Sequence, residues 1–210
     1  MKQIFVYIFV VGLFMAIFYT FWRTEWKYLQ PTPIPKGYVN TAIGQKIDLS
    51  PFPIHPINNR PIFLHFFSID CPCSKFNIQQ FNQLVELHRH QVQFYAVLFA
   101  EDTTGLAASF QEKMHHQVPL ILQKGTQLAA ICGVYSTPQV ALLDGNTTLY
   151  YRGNYNKSRY CTDKATEFAQ IALQDLLAGK PAPQFGELAT QAYGCELPEN
   201  YYEKLPQKNK

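Results

Sequence analysis

Two cysteines one residue apart, Cys71 and Cys73 in Asp70-Cys71-Pro72-Cys73-Ser74, are the side chains best placed to do chemistry in this chain. About 16 residues with helical spacing follow, and proline is favoured at the first helical position, where its missing N–H costs nothing. That places Cys71 at the N-cap, its sulfur facing unpaired backbone N–H groups and the positive end of the helix dipole. A thiol so placed ionises more readily and attacks at neutral pH. The chemistry implied is thiol-based redox exchange. A Cys-x-Cys pair with histidine can also hold Cu(I) or zinc, and His115-His116 is the histidine pair on offer. Nothing in the spacing brings those histidines to the cysteines.

The elements that must position Cys71 are legible around it. Ile62–Ser68 is a nearly unbroken apolar run, the pattern of a strand buried on both faces of a sheet. A helix near Pro72–His90 follows, with Ile78, Phe81, Leu84 and Val85 on one face. Val92–Phe99 reads as a second buried strand, Thr104–Met114 as a shorter helix, Val118–Leu122 as a short strand and Gly125–Cys132 as a short helix. Pro138–Leu143, a turn at Asp144-Gly145-Asn146 and Thr148–Arg152 make a hairpin. Thr162 can cap a last helix carrying Phe168, Ala169, Ala172, Leu173 and Leu176, stopped by Gly179 and Pro181. The alternation predicts an α/β fold: a mixed central sheet with helices on both sides.

The chain has 210 residues, a net charge of +3 and five cysteines. The charges form no basic stripe, which argues against a nucleic-acid partner. Five cysteines are too few for a disulfide scaffold. Ile4–Trp22 is an uncharged apolar run close to the ~20 residues that span a bilayer. Tyr19, Trp22 and Trp26 resemble an interfacial aromatic belt, and no small-residue cleavage site follows. The expectation is an uncleaved transmembrane anchor over residues 1–23 and a proline-rich linker and lead-in over 24–60. Pro31, Pro33 and Pro35 there suggest an extended spacer, and Gln45–Leu49 a short strand. A globular domain over 61–180 and a polar C-terminal tail over 181–210 complete the expected organisation.

A buried strand, a close cysteine pair at the start of the next helix and a downstream Thr137-Pro138 leading into a hairpin strand together resemble the thioredoxin superfamily. Gly133–Asp144 is similar to that family's cis-proline strand. The long separation of the two motifs resembles the membrane-anchored, extracytoplasmic thiol–disulfide oxidoreductases of the TlpA/ResA type. The usual pair has two intervening residues; here only Pro72 intervenes. Residues i and i+2 of a helix point about 200° apart, so an internal disulfide would need Cys71 to lie outside the helix.

The resemblance implies a thioredoxin-like fold and exchange of disulfides with protein substrates, with no cofactor. It makes Cys71 the attacking and more exposed thiol, Cys73 the resolving thiol, and Thr137 and Pro138 the backbone that binds substrate. His65 stands where thioredoxins carry a buried acid; it is either a proton shuttle to Cys73 or a core histidine satisfied by hydrogen bonding. Asp70 opposes and Lys75 favours thiolate formation. Cys161 and Cys195 fit a structural disulfide pinning the tail, with a mobile resolving thiol as the rival; Cys132 reads as a buried small hydrophobe. The expected partners are protein thiols or disulfides and a redox protein that recycles the pair. The expected location is the bacterial inner membrane, single-pass, with the domain facing the periplasm. A copper-binding or copper-delivery protein using Cys71 and Cys73, or a redox-inactive thioredoxin-like module, are the alternatives.

Overall fold

The computed structural model describes residues 2–26, 30–69, 71–99, 105–123, 125, 127–158 and 163–197. In chain order its elements are α1 (Lys2–Phe21), β1 (Ile62–Phe67), α2 (Pro72–His88), β2 (Gln93–Phe99), α3 (Leu106–Lys113), β3 (Leu120–Gln123) and α4 (Gln127–Ile131). β4 (Ser136–Thr137), β5 (Gln139–Leu143), β6 (Leu149–Gly153), α5 (Phe168–Leu177), α6 (Glu187–Thr190) and β7 (Cys195–Glu196) follow.

β1 is buried at every position because it lies at the centre of a five-stranded sheet ordered β3-β2-β1-β5-β6. It pairs in parallel with β2, Ile62 opposite Gln93, and antiparallel with β5, Ile62 opposite Leu143. Side chains alternate between the faces of a strand, and the core divides accordingly. Phe63 and Phe67 join Phe81, Leu84 and Val85 of α2 and Ala169, Ala172 and Leu173 of α5 on one face. Ile62, Leu64 and Phe66 join Leu128 and Ala129 of α4 and the lead-in residues Ile47, Leu49, Phe52 and Ile54 on the other. Burying each such phenylalanine or leucine is worth roughly 1.5–3 kcal/mol. The layered mixed sheet is thioredoxin-like, as expected, with helices on both faces.

Several expectations shift. Gln45–Leu49 makes no strand: a single bridge, Lys46 to Thr148, is formed, and the extended chain buries Ile47 and Leu49 instead. Pro51 and Pro53 follow directly and cannot donate to a ladder. The helix expected from Thr162, a residue outside the described ones, is a 3-10 turn at Lys164–Thr166 followed by α5. Asp163 caps that turn, its carboxylate accepting from the Ala165 N–H at 3.1 Å. The proline-rich stretch is no free spacer at Thr32, which is buried and donates its N–H to the Ala192 carbonyl at 2.8 Å.

The segment after α5 returns across the domain. Phe185 packs on Phe168 and Tyr151, and Ala189 and Ala192 are fully buried. Asn154 fixes it: its side-chain amide donates to the carbonyls of Leu188 and Gln191 at 3.0 and 2.6 Å. At Gly153 a β-carbon would sit 2.1 Å from the Ala189 carbonyl oxygen, so only glycine permits this approach. α1 is long and apolar enough to cross a membrane.

Candidate active site

Pro72 opens α2 and Cys71 is its N-cap, with extended backbone angles (φ −83°, ψ 112°). This is the geometry expected from the Cys-Pro dipeptide. No side chain caps the helix, and the positive end of its dipole lies beside the sulfur. The sulfur of Cys71 lies 3.3 Å from the Thr137 carbonyl oxygen. The Thr137–Pro138 peptide is cis, and Thr137 is fully buried, its Oγ1 without a hydrogen-bond partner among the described residues. Sequence-distant Cys71, Thr137 and Pro138 therefore meet, as the resemblance implied.

The partner of Cys71 departs from expectation. Cys71 is disulfide-bonded to Cys195, across a sequence separation of 124 and a Cα–Cα distance of 5.9 Å. Cys195 is thus joined to Cys71 and not to Cys161, which lies outside the described residues, as does Asp70. Cys73 keeps its thiol and is buried in the first turn of α2. The reason is proximity: Cys195 arrives from a facing strand with its Cα 5.9 Å from that of Cys71, within ordinary disulfide span. In consequence Cys71 is only 1% exposed, against the expectation of the more accessible thiol.

The strand that delivers Cys195 is β7. It pairs antiparallel with β4, Ser136 opposite Glu196 and Thr137 opposite Cys195, in a two-stranded sheet apart from the main one. Ser136 Oγ donates to the Cys195 carbonyl at 3.1 Å, and Thr32 Oγ1 donates to the Gly194 carbonyl at 3.3 Å. A β-carbon at Gly194 would fall 2.2 Å from the Thr137 carbonyl oxygen. Gly194→Ala is therefore expected to push β7 off β4 and destabilise the oxidised protein by about 1–3 kcal/mol, read as a lower thermal midpoint under non-reducing conditions. Gly194-Cys195 was the available sequence signal, a residue that tolerates close backbone approach beside a cysteine, but it names no partner.

His65 sits in the aromatic core. It is fully buried, stacked on Phe81 and Phe67 with ring centroids 4.4 and 5.2 Å away, and its Nδ1 shares a 2.6 Å hydrogen bond with the Tyr155 hydroxyl. Burial holds its pKa down to about 3, so the ring is neutral at physiological pH. Burial likewise raises the Cys132 thiol to about 12, which fits the small-hydrophobe reading of that residue. His116 pairs with Glu86 and His115 is exposed. No cluster of three or more potential metal ligands occurs among the described residues.

A family model described as a domain of unknown function, DUF6436, matches residues 44–196. No curated protein matches the chain. An uncharacterized conserved protein from Geobacillus kaustophilus superposes with a TM-score of 0.59 at 21% identity, covering 79% of this chain and 91% of its own. A hypothetical protein from Sinorhizobium meliloti 1021 gives 0.58 at 16%, covering 67% and 80%. A secreted Mycobacterium tuberculosis disulfide oxidoreductase gives 0.42 at 16%, covering 58% and 82%. The likeness to the first two is one of fold.

Proposed function

Because this chain belongs to the DUF6436 family, whose description carries no activity, we propose its function from the site: a thiol–disulfide oxidoreductase that exchanges disulfides with protein substrates through Cys71. The observation that supports this best is a helix-capping cysteine already in a disulfide, its sulfur 3.3 Å from the Thr137 carbonyl. A sulfur bonded at a helix N-terminus is a good leaving group, and the thiolate it leaves is favoured by the positive end of the helix dipole. Reduced, Cys71 attacks a substrate disulfide and forms a mixed disulfide, which an internal thiol then releases. α1 anchors the protein in the bacterial inner membrane with the domain in the periplasm, an oxidising space in which such a bond persists. A separate redox protein recycles the pair.

Insulin reduction by the full-length chain in detergent tests the proposal. Cys71→Ser is expected to lower turnover at least about a hundred-fold, since the remaining thiol of that helix start, Cys73, is buried within the first turn, and the Thr137 carbonyl lies beside the N-cap sulfur. Unchanged turnover would refute it.

A further inference from the structure

Resting on that reading, we propose that Cys195 is the second exchanging thiol of this site, and that β7 holds the place of a client's extended, cysteine-bearing segment on β4. β4 stands apart from the main sheet and its strand partner is β7. In that pairing Thr137 faces Cys195, so the backbone that receives β7 delivers a cysteine to Cys71. A client segment laid on the same main-chain groups would bring its own sulfur to the same point. Occupation by β7 and by a client are mutually exclusive, because both need the backbone of Ser136 and Thr137.

β7 suits a strand that leaves and returns. It is two residues long, with Cys195 half-buried and Glu196 exposed, while the chain just before it is held by the Asn154 hydrogen bonds and buried Ala189 and Ala192. Exposure also decides which sulfur an outside thiol meets. Cys71 is 1% exposed, so attack falls on Cys195.

The reductant is a protein dithiol. Its first thiolate attacks Cys195 Sγ, forming a mixed disulfide there; the Cys71–Cys195 bond breaks and the electron pair stays on Cys71 as thiolate. Its second thiolate attacks the reductant's own sulfur in that mixed disulfide, and Cys195 leaves and takes a proton. The partner is oxidised to a disulfide and the pair is reduced by two electrons. With β7 released, the Cys71 thiolate attacks a client disulfide lying on β4, and one client thiolate departs and is protonated. Cys195, deprotonated, then attacks Cys71 Sγ, expels the second client thiolate and restores the original bond. Closure of β7 and ejection of the client are one event.

The test uses the full-length chain in detergent, reduced and freed of reductant, with an aromatic disulfide and then insulin as probes. Wild type is expected to release both aromatic thiolates and keep no adduct. Cys195→Ser should release one and stop as an adduct on Cys71, located by peptide mass, and with insulin it should retain an insulin chain on Cys71 that wild type releases. Cys73→Ser should behave as wild type. If Cys195→Ser turns over normally and Cys73→Ser accumulates the adduct, the inference fails while the role of Cys71 stands; an active Cys71→Ser would instead remove the reading beneath it. Hydrogen exchange on the wild type needs no variant to fold: protection of the Ser136 and Thr137 amides, the residues paired with β7, should fall at least about tenfold once Cys71–Cys195 is reduced. Unchanged exchange would overturn the place-holding role of β7.

Discussion

Reducing the Cys71–Cys195 bond is expected to lower the unfolding free energy of the domain by about 3–5 kcal/mol. The bond closes a loop with a sequence separation of 124, and the entropy it removes from the unfolded chain grows with the logarithm of loop length. That loop contains α2 through α6, most of the sheet and its covering helices. Urea denaturation with and without a phosphine reductant measures the effect. Cys195→Ser should match the reduced wild type and gain nothing further from reductant. Coincident midpoints for oxidised and reduced wild type would contradict the expectation. The coupling runs both ways: whatever the bond adds to folding, folding adds to closure of the bond.

Acid is expected to unfold the protein through His65. Its pKa is about 3 in the fold against an ordinary 6.5, so the unfolded chain binds the proton that the folded chain excludes. Stability is therefore intact above about pH 6.5 and falls as pH drops toward 3, by about 1.4 kcal/mol per pH unit. Between about pH 7 and pH 5, before most carboxylates titrate, the loss should reach about 2 kcal/mol. The double variant His65→Phe with Tyr155→Phe removes the titrating ring and the hydroxyl bonded to it, leaving no buried orphan. Its stability should fall clearly less over the same interval, the remainder including His88, whose pKa burial also lowers. A variant as acid-sensitive as wild type would show that another group governs the response.

Much of the site's frame could be read along the chain. Cys71-Pro72 specifies a helix start because proline fixes its own φ and lacks only an N–H that the first turn leaves unpaired. Ile62–Phe67 declares a buried central strand through apolarity interrupted only by His65. The hairpin that follows Pro138 was marked by its apolar runs and the Asp144-Gly145-Asn146 turn. These are short-range properties, set by neighbours within a few residues. The anchor-like character of α1 is of the same kind, a matter of length and composition.

The meeting of distant residues was a different matter. Cys73 was the near partner for Cys71 by count, and Cys161 the plausible one for Cys195, yet the bond runs from Cys71 to Cys195. Nothing within a few residues of Cys195 encodes that choice. It follows from where α6 docks under Asn154, from Thr32 and Ser136 meeting the returning chain, and from the missing side chain at Gly194. His65 likewise announced burial, while only the packing supplied Tyr155 as its partner. By itself the sequence determined a helix-capping cysteine, the strand and helix that carry it, and an apolar helix at one end. Only the tertiary structure decided which sulfur faces it, because β7 reaches β4 through contacts between segments far apart in the chain, and such contacts leave no periodicity to read.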